Sequence, residues 1–466
     1  MAADRHEQRL TLAATSVSYV VVILDTSIVN VSLPPIGATL SAGLAGLQWV
    51  VNAYTLSFAC LLLTGGTLGD RLGARRVYMA GLAVFTAASL LCGVSASLAM
   101  LIGARTLQGI GASLLVPCSL TLLNIAYPDQ GDRAKAIGYW AGWGGAALAA
   151  GPLAGGVLIA AFGWRSIFLV NVPIGLAGIW LTTRLAATPA AAPAKRHLDL
   201  PGQIAAIVAL GTLIGVLIEG PALGWGSAPI LAGAAVCVCS SVAFLVIEAR
   251  GDEPMMPLGF FQSPVFSASA FLAFVGTFTF FGLIFALSLY FQQERGYSPL
   301  WTGLAFLPAT AVVTGGNAVS GAMTKHRGAR LPILLGLAAL TVGLLGLLPL
   351  GRETPYAMIA VPLLVVGLGG GLVTPAATAS LMAAADRARA GIAAGILNTA
   401  RQAGAAMGVA LFGLLMAGRA QLGLGVRIAL LLSAGLAVLA LLAAWRALPG
   451  GPDKSQTSAA ERSTSS

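Results

Sequence analysis

Residues 24–34 read LDTSIVNVSLP and set an acid, Asp25, in the middle of an apolar run that begins near Leu10. A carboxylate at the centre of a membrane helix costs about 2.5–3.5 kcal/mol on insertion scales, so an acid held there needs a partner or a watery cavity. The chain around it is 57% hydrophobic and 9% charged, with a mean hydropathy of +0.88. So much apolar surface in 466 residues cannot be buried in one water-soluble core. The expectation is an all-α polytopic membrane protein: lipid offers the backbone no hydrogen bonds, and the long unbroken apolar runs lack the alternation of barrel strands.

Cutting the runs at charges, prolines and turn residues gives fourteen expected spans: 10–33, 48–68, 77–96, 98–123, 136–162, 166–186, 199–220, 227–248, 267–292, 299–321, 331–350, 356–383, 391–417 and 427–447. Arg5 and Arg9 precede the first run as in a signal peptide, but no small-residue cleavage site follows, so the run is read as a retained helix. With the N-terminus inside, only Arg165, Arg295, Arg352, Arg419 and Arg427 fall on the outer side, and Arg105 and Arg401 fall within spans. The rest of the 26 basic residues lie inside, which places both termini in the cytoplasm. The net charge of +10 is scattered between spans rather than clustered on a face, so it marks topology and not a nucleic-acid partner. The five cysteines lie within apolar runs and indicate neither disulfides nor a metal site.

Two stretches recur at nearly constant offset. GTLGDRLGAR at 66–75 matches GAMTKHRGAR at 321–330, and GIGASLLVP at 109–117 matches GLGGGLVTP at 367–375. Such a repeat implies duplicated halves. The expected divisions are a six-helix bundle over 1–186, a linker with an inserted two-helix hairpin over 187–266, a second six-helix bundle over 267–447, and a disordered cytoplasmic tail over 448–466.

Several residues are candidates for chemistry. Thr11, Ser18, Asp25 and Ser32 recur every seven residues and so share one helical face, turned inward. Asp25 is either a protonatable group in a cavity or a structural acid bonded to a neighbouring helix. Arg105, followed by Gln108, Gly109 and Gly111, either pairs with Asp25 or snorkels to the outer interface. Arg401, near Asn398, is the second in-span cation, with snorkelling to the cytoplasmic side as its alternative. Around 66–76, Gly66 and Gly73 permit a tight turn, Asp70 is placed to cap the next helix, and Arg71, Arg75 and Arg76 hold the loop inside. Gly138, Gly151, Pro152, Gly155 and Gly156 thin the fifth span on one side for close helix contact, and the proline kinks it. Phe271, Phe274, Phe278, Phe281 and Phe285 make one aromatic face, read as lipid-facing in preference to a substrate wall. Glu219 is read as an interfacial acid, with a cation-attracting vestibule as the alternative.

LDTSIVNVSLP, GTLGDRLGARR, RTLQGIG (105–111), AAGPLAGG (149–156) and WRSIFLVNVPIG (164–175) together resemble the major facilitator superfamily, and within it the 14-spanner drug:proton antiporters of the EmrB/QacA type. The resemblance runs over about residues 10–447. It implies two six-helix bundles that alternate access around a central cavity, with Asp25 in proton coupling, Arg105 in proton transfer and the 66–76 loop as an inner gate. It also implies that the Gly-Pro helix marks export. Ala147 departs from the family pattern, standing where its second glycine is expected.

The expected function is therefore proton-coupled export of amphipathic small molecules, drugs or antibiotics, across the cell membrane. Ser18, Asn30, Ser32, Gln108, Phe278, Asn398 and Arg401 are the candidate cavity residues. No GxxxxGK[ST] stretch exists for ATP and no metal or other cofactor is expected, nor is an enzyme, because HExxH and GxSxG are absent. The partners are substrate, protons and lipid, with the protein a monomer. The rivals are an exporter of one endogenous metabolite, an antibiotic or siderophore, then a solute-uptake symporter and, in another class, a membrane sensor or scaffold.

Overall fold

The computed structural model describes residues 2–185, 199–251, 254–386, 389–417 and 422–450, and these are helical with no strand among them. The expected linker at 187–198 lies outside the described residues, as does the expected tail beyond residue 450. The helices are α1 (Ala2–Leu40), α2 (Leu44–Leu72), α3 (Ala74–Gly93), α4 (Leu98–Ala126), α5 (Gln130–Phe162), α6 (Ser166–Leu169), α7 (Asn171–Thr183), α8 (Leu200–Leu223) and α9 (Ala228–Arg250). There follow α10 (Pro264–Leu289), α11 (Pro299–Ala305), α12 (Leu307–Arg327), α13 (Arg330–Gly346), α14 (Ala357–Ala383), α15 (Ala390–Met416) and α16 (Leu422–Ala447). A π-helical turn, Tyr290–Glu294, extends α10.

All fourteen apolar runs are helical, but among the described residues twelve stretches are long and apolar enough to cross a membrane. α6 with α7 counts as one, and α11 with α12 as another. The two expected spans that do not qualify are α13, which has only 17 residues, and α15, whose sequence carries Asn398, Arg401 and Gln402. The chain is a multi-pass membrane protein.

α1 runs well past its expected end at residue 33, straight through Pro34 and Pro35. A proline inside a helix has no N–H for the carbonyl four residues earlier, so Asn30 and Val31 lose their helical partners. Both oxygens are satisfied from α10 and its π-turn: Ser288 Oγ donates to Asn30 O at 2.6 Å and Gln292 Nε2 to Val31 O at 3.0 Å. The prolines therefore serve helix contact instead of ending the span.

Compactness divides the chain into two units. The first comprises 1–258, 277–307 and 398–429, and its core is built by Val21, Tyr54, Phe58, Tyr78, Leu82, Phe85 and Leu115 from α1 to α4. α8 docks on α2, where Trp49 Nε1 donates to Glu219 Oε1 at 2.8 Å and Gln203 bonds Thr64 and the Cys60 carbonyl. Glu219 is thus a helix-to-helix acceptor. The second unit comprises 259–276, 308–397 and 430–466.

The repeated stretches build the same contacts, each inside its own unit. Gly73 and Gly328 both take left-handed backbone, φ 93° and 78°, to turn the chain between consecutive helices. A Cβ on Gly81 would stand 3.0 Å from Gly111 O, and one on Gly336 would stand 2.8 Å from Gly369 O. A Cβ on Gly111 or Gly369 would lie 2.7 Å from the backbone nitrogen of Phe85 or Leu340 respectively. Arg75 donates to carbonyls at the end of α7 and Arg330 Nη2 to the Trp445 carbonyl near the end of α16, at 2.8 Å.

Candidate functional site

Asp25 and Arg105 meet inside the first unit. Asp25 sits past the middle of α1, and Arg105 lies two turns into α4, whose start is fixed by Ser97 accepting from the Met100 N–H. Arg105 Nη1 donates to Asp25 Oδ2, and the two side chains are 1% and 0% accessible. Snorkelling of Arg105 is overturned.

Every neighbour of this pair serves it. Arg105 Nε donates to Val50 O at 3.1 Å, and Nη1 also to Gln108 Oε1 at 2.7 Å. Its guanidinium lies 4.3 Å from the Tyr54 ring centre and 5.6 Å from that of Phe168, a favourable stacking for a desolvated cation. The second carboxylate oxygen, Asp25 Oδ1, accepts from Gln108 Nε2 and from Asn171 Nδ2, each at 2.9 Å. Gln108 Nε2 also donates to Ser89 Oγ at 2.8 Å, which ties in α3. Helices α1, α2, α3, α4, α6 and α7 therefore converge on one ion pair.

Such a pair is costly to form and costly to break. Taking both ions from water carries a desolvation penalty that their attraction repays only with good geometry and filled hydrogen bonds. Here the carboxylate has three donors, so removing Arg105 would strand a buried anion.

The 66–76 loop contains the end of α2 and the start of α3. Arg75 Nε and Nη2 donate to Thr182 O at 3.3 and 3.2 Å, and Nη2 to Thr183 O at 3.2 Å. These are carbonyls in the last turn of α7, which carry the negative end of its dipole; Thr182 O also accepts from the Leu185 N–H at 3.2 Å. Asp70 lies in the last turn of α2, and the residue just before α3 is Gly73, which has no side chain to cap with. A Cβ on Gly66 would stand 3.6 Å from Pro117 Cβ, an ordinary contact.

In α5 the small residues serve two faces, where the sequence suggested one. Cβ atoms on Gly151 and Gly155 would run into Ser27 and Ile28 of α1, whereas one on Gly156 would stand 2.8 Å from Pro299 O at the start of α11. Gly303 in α11 closes against the Pro152 carbonyl, and Gly138 meets nothing. Ala147 is buried, in keeping with a small residue at a contact.

The other candidates are dispersed. Ser18 Oγ bonds back to Thr15 O and accepts from Tyr78, and Ser32 Oγ bonds back to Val29 O. Asn30 Nδ2 bonds Thr26 O and Ser27 O, while its Oδ1 is buried without a partner. Phe278 and Phe285 are fully buried, which overturns the lipid-facing reading for them; Phe278 packs edge-on to Phe412 of α15, ring centres 6.0 Å apart. The reason is Gly408, whose missing side chain lets α15 press against the Phe278 backbone. Arg401 is partly buried on α15, and its carbonyl accepts from Thr277 Oγ1 at 2.7 Å.

A profile of the Major Facilitator Superfamily matches residues 15–409. The chain belongs to this superfamily. Among curated relatives, a methylenomycin A resistance protein of Streptomyces coelicolor is 37% identical over 453 residues, spanning 96% of this chain and 94% of its own. A tetracenomycin C resistance and export protein of Streptomyces glaucescens is 35% identical over 409 residues, 88% of this chain and 76% of its own. A mutant of the nucleoside transporter NupG shares the fold with a TM-score of 0.66 at 12% identity, covering 94% of this chain and all of its own.

Membership in the superfamily makes this a transporter fold rather than that of an enzyme, and the described residues contain no cluster of metal-ligating side chains. Within it, Asp25 and Arg105 pair, one of the two alternatives the sequence left open, and Gln108, a candidate cavity residue, bonds both. Asn171, Ser89, Tyr54 and the Val50 carbonyl join them without having been foreseen. Asn171 stood in the quoted 164–175 stretch, an amide in an apolar run, and that was its only signal. Asn52, buried with both amide atoms unpartnered, was likewise missed.

Proposed function

We propose that this protein is a proton-coupled antiporter that exports amphipathic antibiotics from the cytoplasm, and that it is a 14-spanner of the EmrB/QacA type. The single observation that carries the coupling is the sealed Asp25–Arg105 pair, an acid with one cation and two amides trained on it. Export draws on the relatives, two of which are named for resistance to an antibiotic. In this reading Asp25 takes the proton and Arg105, freed from it, changes partners. Each inward proton supplies about 2.3 kcal/mol per 100 mV, so no ATP or other cofactor is called for. Gly66, Asp70, Arg71, Gly73, Arg75 and Arg76 form the inner gate, and the Gly-Pro face of α5 lets α1 and α11 slide closely past it. α13 and α15 complete the fourteen spans as 6 + 2 + 6, supported by the duplicated contacts. The protein works as a monomer in the cell membrane, with lipid around it and both termini in the cytoplasm. Substrate meets the polar groups of Asn30 and Gln108, which are buried, and of Asn398 and Arg401, which are partly buried.

The test is a resistance and accumulation panel in a pump-deficient host, including methylenomycin A and tetracenomycin C, with and without an uncoupler. Uncoupler-sensitive resistance to at least one compound supports the reading; accumulation that ignores the uncoupler sinks it. A narrower reading, export of a single antibiotic, is favoured by relatives named for single compounds. Resistance confined to one member of the panel would select it.

A further inference from the structure

α7 joins two features that are otherwise far apart. Its first residue, Asn171, donates to Asp25, and the carbonyls of its last two, Thr182 and Thr183, are held by Arg75 of the 66–76 loop. Thirteen residues of helix make a stiff rod of roughly 18 Å between them.

The Asn171 amide is placed for Asp25 alone. Its one side-chain bond is to Asp25 Oδ1, and its own Oδ1 is buried without a partner. Gln108, the other amide on the same oxygen, is fully committed: Oε1 accepts from Arg105 and Cys92, and Nε2 donates to Asp25 and Ser89. Gln108 stays with α4 whatever Asp25 does, whereas among the described residues the Asn171 side chain makes no bond but the one to Asp25. An N–H donated to a carboxylate is roughly twice as strong as one donated to a neutral acid, so the hold on Asn171 depends on the charge of Asp25. Pro173 supplies the freedom to respond, because it returns no N–H to Leu169 O and so weakens the helix where α6 passes into α7.

We propose that Asn171 is a positioning residue that reads the charge on Asp25, and that α7 carries the reading to Arg75 and the 66–76 loop. The inference rests on Asp25 being the group that takes the proton. With Asp25 ionised, α7 is fastened at both ends and the loop is held. With Asp25 protonated, α7 slackens at Asn171 and the loop loses one of its anchors. The titratable or charged groups facing Asp25 are Arg105 on α4, Tyr54 on α2 and Cys92 on α3; α6, α7, α10 and α11 bring none, and the π-turn after α10, with Tyr290 and Glu294, meets α1 more than a turn beyond Asp25, where α10 and the turn bond Asn30 and Val31. α5 packs on this part of α1 through Gly151 and Gly155, while its Asp132, Arg133, Lys135 and Tyr139 lie about three turns or more toward its start.

The experiment is hydrogen exchange on the purified full chain in lipid nanodiscs, read at residues 66–76, for the parent, Asp25→Asn, Asn171→Leu and the double variant. Leucine keeps the shape of asparagine and removes its polar atoms. Asp25→Asn, which mimics the protonated acid, is expected to speed exchange of the loop about five-fold or more, and Asn171→Leu to do the same. In the double variant the two effects should not multiply, because both cut one link. Asn171→Ser, which keeps a donor, should restore the response to Asp25→Asn. A loop unmoved by Asp25→Asn overturns the inference, as do independent, multiplying effects or a faster exchange spread over all of α2 and α3. If Asn171→Leu is not recovered folded, Asn171→Ala takes its place with the same expectations. The coupling reading fails separately, by uphill transport in Asp25→Asn; loss of that transport with an unchanged loop sinks only the α7 link.

Discussion

At the scale of single residues the molecule turns on an ion pair that is stable only as a pair. Removing one partner of a buried salt bridge strands the other, at about 3–5 kcal/mol. Arg105→Leu is therefore expected to lower the thermal midpoint sharply, since Asp25 would be left buried among helices with its cation gone and only two amides left to it. Asp25→Asn with Arg105→Gln removes both charges and should recover most of that loss while transport stays dead. Unfolding followed in detergent, beside uncoupler-sensitive efflux, checks both halves; a double variant as unstable as Arg105→Leu would mean that the charges are not what holds the site. The sequence displayed Asp25 and Arg105 because ionised groups in apolar runs are conspicuous. It concealed Asn171, because a lone amide near a span's end looks like any other tolerated polar residue. What fixes its meaning is distance across the fold, which pattern along the chain does not contain.

At the scale of helices, close approach decides which glycines matter. A side chain at Gly303 would be driven into the Pro152 carbonyl, and backbone on both sides leaves nothing to yield. Gly303→Ala should cost about 1–3 kcal/mol, as overpacking does. Gly138→Ala should be neutral or slightly stabilising, because nothing lies within 4 Å and alanine is the better helix former. Thermal midpoints of the two variants test the contrast, and equal destabilisation would refute it. Helix existence was legible throughout from the apolar runs. Helix ends were less so: Pro34 and Pro35 looked like a stop, and α1 passes through them because acceptor-hungry side chains on α10 await the freed carbonyls. The aromatic face of α10 misled in a similar way, since periodicity shows that residues share a face but not what the face meets. Phe278 and Phe285 meet protein.

At the scale of the whole molecule the halves share a skeleton but not a chemistry. Glycine contacts and an arginine clasp recur in both, yet the register of Arg105 in the second repeat holds Leu363, which is buried. The repeat was plain in the sequence; that Arg105 has no counterpart at the matching position of the second copy became plain only with the two sets of contacts laid side by side. The clasp can be tested in each copy. Arg75→Gln and Arg330→Gln should each reduce efflux several-fold with little change in protein level. A variant of either that transports as the parent does would assign that arginine to topology alone. Opposite sidedness of tags at the two termini would contradict the even span count.

The inserted hairpin shows its two helices treated unequally. α8 is fastened to α2 by Trp49–Glu219 and by Gln203, whereas α9 buries only Ile230 and Glu248 among its 23 residues. Natural selection can then act on α9 through little more than greasiness. In a saturation library scored by antibiotic survival, α9 should tolerate nearly any apolar exchange, while Gln203, Glu219 and Trp49 should stand out as fixed points. The same freedom should make α9 the helix most open to replacement by an unrelated apolar segment, provided Ile230 and Glu248, the latter accepting from the Met256 N–H, are kept.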